Sequence, residues 1–224
     1  MITVNNIKND KEVIAIMKKS AEQIEALGFT EHSVRHSSIV SKRSGEILRL
    51  IGKSEERVHL AEIAGYLHDI GNCVCRESHA QSGAMLAYQI LTRMGMSYPD
   101  ACDVMMAIDN HDEKFGLPVS DVSAALIIAD KSDVHKSRVR KNITGADLSA
   151  EQNIHDRVNV AAEKSYITVD PNEREILLTV EIDISVCPVM DYFQIYFSRM
   201  KLCRTAAAFL EYKFGLMING ARLL

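Results

Sequence analysis

Four predicted helices of this chain each carry a histidine or an aspartate in line with their apolar residues. In the helix that ends near His68, apolar residues recur at three- and four-residue steps, and His68 continues this buried face. The same helical phase turns His36, His111 and Asp130 inward on three other helices. The pattern therefore predicts a helical domain in which four separate helices each bury a titratable group.

Buried carboxylates make this pattern more specific. Asp69 follows His68 directly, and both Asp69 and Asp130 have core-facing positions. An unpaired carboxylate in a low-dielectric core costs several kcal/mol or loses its charge. No lysine or arginine lies in the same apolar stripes, so we expect a metal cation to supply the compensating charge.

The types of side chain indicate the class of metal. Imidazole suits zinc, iron, nickel and copper, whereas carboxylate suits harder ions such as magnesium and manganese. A mixed set therefore indicates one or two divalent first-row transition-metal ions. The candidate ligands are His36, His68, Asp69, His79, His111 and Asp130.

Composition excludes several other classes of protein. The 224 residues suffice for one large core with a small appended unit, and 47% hydrophobic with 25% charged residues is typical of a globular protein. The net charge of -4 gives no indication of a nucleic-acid polymer or a membrane surface as partner. Without a membrane-length apolar run or a signal-peptide pattern, we expect a cytoplasmic protein. The odd number of cysteines favours free thiols, and Cys73 and Cys75 alone do not make a structural zinc site.

The predicted fold class is mainly α, with a small α+β unit at the carboxyl end. Helical periodicity continues to about Val134. The predicted helices cover residues 13–24, 33–51, 54–68, 82–94, 99–110 and 120–130. Gly71 is interpreted as the stop of the third of them.

Beyond this helical part the pattern changes. A helix is predicted over 149–164, followed by strands at 166–169 and 176–184 around a turn, a helix over 189–212, and a terminal hairpin at Asn219-Gly220. We therefore expect a helical metal-binding domain over 1–140 and, over 141–224, a helix with a β-β-α-β extension.

The order of the candidate ligands resembles the defining motif of the HD superfamily of metal-dependent phosphohydrolases. His36, the pair His68-Asp69 and Asp130 carry this resemblance, which extends over about 30–133. The intervening segments also match in kind, at 67–71, 79–84, 107–112 and 128–131. The resemblance implies an all-helical bundle with the site at its centre.

Roles follow from the resemblance residue by residue. It implies that the ligands of one ion are His36, His68, Asp69 and Asp130. In dinuclear relatives the aspartate of the His-Asp pair bridges two ions, so His79 and His111 would complete a second site. The expected cofactor is one or two ions of manganese, iron, cobalt, nickel or zinc, with magnesium also compatible.

One departure bears on the substrate. Many dinuclear relatives, including the HD-GYP cyclic-dinucleotide phosphodiesterases, have lysine where this chain has Asn72, and this chain has no Gly-Tyr-Pro signature. Both features argue against hydrolysis of cyclic di-GMP, and they leave the phosphate-binding cation unassigned. Lys131 and then Arg76 are the candidates for it, and Asp112 and Asp133 could orient ligands or move protons.

The favoured function is hydrolysis of a phosphomonoester or phosphoanhydride in a small, nucleotide-like molecule, by water that a metal activates at Asp69. Two alternatives remain open: a di-iron oxygenase of the same superfamily, and a non-enzymatic nucleotide-binding module. The expected partner is a small phosphorylated substrate, without a membrane or a nucleic-acid polymer. A homo-oligomer is compatible with the sequence.

Overall fold

The structure is a computed structural model that describes residues 2–27, 34–136, 139 and 154–224. Helices and one 3-10 turn, Ile70–Cys73, form the described part up to residue 136. The helices are α1 (Val4–Lys8), α2 (Lys11–Ala26), α3 (Val34–Leu50), α4 (Glu55–Leu67), α5 (His79–Arg93), α6 (Tyr98–Asp109) and α7 (Asp121–Lys131).

Serine caps fix the starts of three of these helices. The hydroxyl groups of Ser54, Ser97 and Ser120 accept backbone N–H groups in the first turns of α4, α6 and α7, which otherwise lack intrahelical partners. The predicted helices are confirmed to within a few residues. The short helix α1 was not predicted.

The carboxyl-terminal part consists of α8 (Ile154–Ala161), β1 (Ala162–Asp170), β2 (Glu175–Ile182), α9 (Val189–Phe209), β3 (Lys213–Ile218) and β4 (Ala221–Arg222). The strands form one sheet in the order β1-β2-β3-β4. Strand β2 is antiparallel to β1 and parallel to β3, with α9 as the crossover, and β4 closes the terminal hairpin. This confirms the mainly α class with a small carboxyl-terminal α+β unit, in which the terminal hairpin adds β4 to the predicted β-β-α-β order.

The predicted helix over 149–164 is wrong at its carboxyl end. Ala162 and Lys164 already lie in β1, where they pair with Ile182 and Glu181 of β2. Pairing with a distant strand overrides the local helical pattern here. The predicted start of this helix lies outside the described residues.

One hydrophobic core extends through both parts of the chain. Helix α7 packs against α3, α4 and α6 and also against α9. Leu126 of α7 and Tyr192 of α9 are both fully buried in this core. The predicted domain boundary at 140/141 lies outside the described residues and stays a prediction. In the described part of the chain, no helix is long and apolar enough to cross a membrane.

Gly71 has a different role from the predicted helix stop. Helix α4 ends at Leu67, and Gly71 lies inside the 3-10 turn without a left-handed backbone conformation. A Cβ atom at Gly71 would lie 2.1 Å from the carbonyl oxygen of His79 and 2.4 Å from the nitrogen of Gly83. Glycine is therefore required for close contact between this turn and α5, which brings His79 to the His68-Asp69 pair.

Candidate metal centre

The six predicted ligands converge on one buried centre. They come from α3, the end of α4, the start of the 3-10 turn, the first turn of α5, the loop after α6, and α7. Asp130 is the most exposed of them, with 11% of its side-chain surface accessible. In the same order of elements, these residues are His36, His68, Asp69, His79, His111 and Asp130.

Hydrogen bonds on the outer side of the rings orient all four histidines. Each Nδ1 lies within 3 Å of an oxygen that can only accept, so in the neutral ring Nδ1 carries the proton and Nε2 has the lone pair for a ligand. Metal-binding histidines show this same arrangement. The pairs are His36 with Asp133 Oδ2 at 2.8 Å, His68 with Gly65 O at 2.9 Å, His79 with Arg76 O at 2.9 Å, and His111 with Ile108 O at 2.6 Å.

The inward-facing nitrogen atoms fit a cation. Nε2 of His79 lies 3.2 Å from Nε2 of His111, so two lone pairs face each other. Nε2 of His68 is buried and makes no hydrogen bond with the described residues, although it lies 3.3 Å from Asp69 Oδ2. A divalent ion bound among these atoms would remove the repulsion and satisfy the buried nitrogen.

Asp69 faces histidines on two sides. Its Oδ2 lies 3.3 Å from His68 Nε2 and 3.7 Å from His36 Nε2, whereas its Oδ1 lies 3.6 Å from His79 Nε2. Asp130 Oδ1 lies 3.3 Å from His36 Nε2 and 3.7 Å from His68 Nε2. Asp69 thus directs Oδ2 toward His36 and His68 and Oδ1 toward His79. This is the placement that a ligand shared by two ions needs.

Two compact subsets of these side chains could each hold a metal ion. In each, the potential ligand atoms lie within 4.8 Å of one another. The subsets are His36 with His68 and Asp130, and His68 with Asp69 and His111. His79 belongs to neither subset and borders the second through His111. Cys73 and Cys75 are also absent from both, among the residues that the structure describes.

The charges at the centre call for a cation. Burial lowers the pKa of His68, but the carboxylates of Asp69 and Asp130 outweigh it and raise this pKa to about 10. Burial lowers the pKa of His111 to about 3, with help from the positive charges of His68 and Lys131. In the metal-free protein a proton on His68 therefore supplies part of the charge that an ion would supply.

The expectation that no basic side chain compensates the buried carboxylates is wrong for Asp130. Lys131 Nζ lies 2.6 Å from Asp130 Oδ2 and 2.8 Å from Glu113 Oε2. Lys131 is only 6% exposed. Burial lowers its pKa, but the two carboxylates outweigh this and raise it. The apolar pattern of the helix did not predict this contact, because Lys131 follows Asp130 directly in the sequence and its long side chain reaches back to the carboxylate.

Asn72 connects Asp69 to Arg76. Its amide nitrogen donates to the backbone oxygen and to Oδ1 of Asp69, both at 3.0 Å, and its oxygen accepts from Arg76 Nη1 at 3.1 Å. Arg76 thus acts on Asp69 through an amide. Asp112 lies at the rim, 29% exposed and 3.8 Å from His79 Nε2. Asp133, in contrast, is buried behind His36.

Glu113 and Arg199 join this centre and were missed at the level of sequence. Arg199 Nε donates to Glu113 Oε1 at 3.1 Å. The signal for Arg199 was present, since it lies in line with the buried residues Tyr192, Tyr196 and Cys203 of α9 at four-, three- and four-residue steps. The rule that selected the histidines also selects this arginine.

Cavity volume alone would suggest a different functional site. A cavity of about 380 Å³, lined by Glu56, His59, Ser97 and Asp100 among others, is much larger than the cleft of about 30 Å³ at the histidines. The larger cavity contains none of the six converging side chains. The chemistry therefore assigns the functional site to the smaller cleft.

Comparison with known proteins supports the same region. Residues 31–137 match the model of the HD domain, a range that includes all six converging side chains. An uncharacterized protein of Methanocaldococcus jannaschii is 27% identical over 162 residues, which are 62% of this chain and 62% of that protein. The chain thus spans less than two thirds of that relative's length.

A solved structure is also similar. The crystal structure of a predicted HD superfamily hydrolase from an uncultured Thermotogales bacterium has 25% sequence identity and a TM-score of 0.45. The similarity covers 60% of this chain and 75% of that one.

Proposed function

We propose that this chain, whose residues 31–137 match the HD domain, is a metal-dependent phosphohydrolase. Its substrate would be a phosphomonoester or a phosphoanhydride of a small, nucleotide-like molecule. The observation that carries this proposal is the convergence of four oriented imidazoles on two buried carboxylates.

The side chains divide into binding and orienting groups. His36, His68, Asp69 and Asp130 would hold the first ion, and Asp69 with His79 and His111 the second. A divalent ion at this position supplies a Lewis acid that activates water and polarises a phosphoryl oxygen.

The remaining groups position these ligands. Asp133 fixes the ring of His36, and Lys131 holds Asp130 by its second oxygen. Because its ammonium is engaged by two carboxylates, we assign Lys131 to orienting Asp130 rather than to contacting phosphate. Asp112 lies at the rim, where it could exchange protons between the cleft and solvent.

Phosphate release tests this proposal. We expect the protein loaded with manganese(II), cobalt(II) or magnesium to release phosphate from at least one member of a panel of phosphorylated metabolites. Asp69→Ala should abolish this activity and lower the bound metal, because it removes the carboxylate that faces both sets of histidines. Asp109→Asn, which changes an exposed carboxylate on α6, should retain both. Activity absent from the wild type, or fully kept by Asp69→Ala, contradicts the proposal.

Metal analysis separates the alternative chemistry. A di-iron oxygenase requires two irons, so protein purified without oxygen would show paired iron by elemental analysis and Mössbauer spectroscopy. Zinc, nickel or manganese alone would count against it. A non-enzymatic module would bind nucleotides without turnover under every metal tested.

A further inference from the structure

We propose that Arg199, on the carboxyl-terminal helix α9, binds the phosphoryl group of the substrate at the metal centre. The inference rests on the phosphohydrolase function proposed above. It assigns the phosphate-binding cation that the replacement of lysine by Asn72 leaves open, and it assigns it to a residue beyond the HD-domain match.

The position of Arg199 is the first support. It lines the same cleft as Asp69, His79 and His111. It arrives there because α9 packs against α7, the helix that carries Asp130. A cation in the buried stripe of α9 is costly unless it is paired, so its presence beside the histidines needs an explanation.

The surroundings of Arg199 hold the guanidinium in one orientation. Nε donates to Glu113, and the guanidinium carbon lies 4.8 Å from the centre of the Tyr196 ring, a cation–π contact. Tyr196 in turn stacks on Tyr192, with ring centres 4.5 Å apart and planes within 2°. The side chain is 20% exposed, so it is fixed by packing and still accessible from the cleft.

The donors of Arg199 remain available for an anion. A guanidinium has five N–H donors, and Arg199 uses one of them at Glu113. Its terminal amino groups make no hydrogen bond with any residue that the structure describes. Their planar fork matches two oxygens of a phosphoryl group.

The other two cations at the cleft are less suitable. The ammonium of Lys131 is engaged by Asp130 and Glu113 and is almost fully buried. Arg76 donates to Asn72 and through it supports Asp69. Arg199 therefore combines access, fixed orientation and open donors.

Binding of inorganic phosphate to the manganese-loaded protein, measured by isothermal titration calorimetry, tests this inference without requiring turnover. Charge-assisted hydrogen bonds of this kind predict that Arg199→Gln weakens phosphate binding roughly 10- to 100-fold. The manganese content should stay unchanged. Arg204→Gln removes the same charge from an exposed position on the same helix and should bind phosphate like the wild type.

Two further variants distinguish a loss of phosphate binding from a loss of folding. Glu113→Gln combined with Arg199→Gln removes both partners, so no carboxylate is left without its arginine, and this variant should fold and still bind phosphate weakly. Arg199→Lys keeps the charge but not the fork, and it should show an intermediate loss. Circular dichroism and thermal melts establish folding for each variant.

The outcomes are separable from those of the proposed function. Arg199→Gln that folds and binds phosphate like the wild type overturns the inference, as does a loss of manganese in this variant or a wild type that binds no phosphate. Arg199-dependent phosphate binding supports the inference even if no panel compound is hydrolysed, and that lack of hydrolysis would contradict the phosphohydrolase function alone.

Discussion

At the scale of single residues, the buried acids of the centre decide how the protein responds to protons. Asp69 and Asp130 lie within 4 Å of histidine nitrogens in a region almost without solvent. A proton or a metal ion can each neutralise them, and the two compete for Nε2 of His68. Metal occupancy and protonation of His68 are therefore thermodynamically linked.

This competition predicts different pH trends for the metal-free and metal-loaded protein. The pKa of His68 is about 10 in the folded metal-free protein, against about 6.5 in an unfolded chain. A raised folded pKa contributes stability that is complete below pH 6.5 and is lost as the pH rises through 10. We expect the free energy of unfolding in urea with a chelator to fall from pH 6.5 to 9.5. With zinc bound, His68 holds no proton in the folded state, so the fall that His68 causes in the metal-free protein should be absent.

The matched control for this experiment is His68→Asn, which removes the titrating group. The metal-free variant should lose most of the pH dependence between pH 6.5 and 9.5. An identical slope in the wild type and the variant would assign the effect to other groups and would contradict the role given to His68.

At the scale of elements, the contact between the 3-10 turn and α5 determines whether His79 can lie beside Asp69 and His111. His79 is the first residue of α5, and the turn that carries Asp69 touches this helix through Gly71 and Gly83. An added Cβ atom would lie 2.1 Å from its nearest neighbour at Gly71 but 3.1 Å from it at Gly83. Alanine variants at the two positions therefore test the contact.

Gly71→Ala should destabilise the protein and displace His79. Its Cβ atom would lie 2.1 Å from a backbone oxygen, a clash that only movement of α5 relieves, and overpacking of this kind costs about 1–3 kcal/mol. Gly83→Ala meets its nearest atom at 3.1 Å and gains helix propensity of about 1 kcal/mol, so its net effect should be small. Urea unfolding measures both, and equal losses in the two variants would contradict this account.

Local periodicity predicted most helices and the inward orientation of His36, His68, His111 and Asp130. Asp69 was placed by its position next to His68, and the role of His79 was implied by the resemblance. Three of the helix starts also have serine caps that can be recognised from sequence. Local patterns failed where distant contacts decide: Lys164 joins β1 through pairing with β2, and Lys131 reaches back to Asp130. Periodicity along α9 turns Arg199 inward, but its place beside the histidines depends on how α9 packs on α7.

At the scale of the whole molecule, the helical part and the carboxyl-terminal unit share one core. Helix α7 is covered by helices of the amino-terminal part on one side and by α9 on another. Arg43 of α3 also donates to the backbone oxygen of Ser165 in β1. The boundary predicted at 140/141 thus separates segments that are packed together in the folded chain.

Removal of residues 141–224 should therefore leave a fragment that does not fold as a stable unit. Without α9, the apolar side of α7 that packs on it would face water, and Glu113 would lose Arg199. We expect increased binding of a hydrophobic dye and the loss of a cooperative unfolding transition, whereas the complete chain should unfold in one transition. A fragment with the same midpoint as the complete chain would instead establish residues 1–140 as an independent domain.

The histidine rings also have consequences for which substitutions the protein can tolerate. His79 and His111 donate to the backbone carbonyls of Arg76 and Ile108, three residues before them. Every amino acid provides a backbone carbonyl, so substitutions of Arg76 or Ile108 leave the hydrogen-bond acceptors of these two histidine rings in place. His36 instead depends on the side chain of Asp133, a support that a single substitution removes. Mutational robustness is therefore unequal around the centre, and it is lowest on the side of the His36 ring.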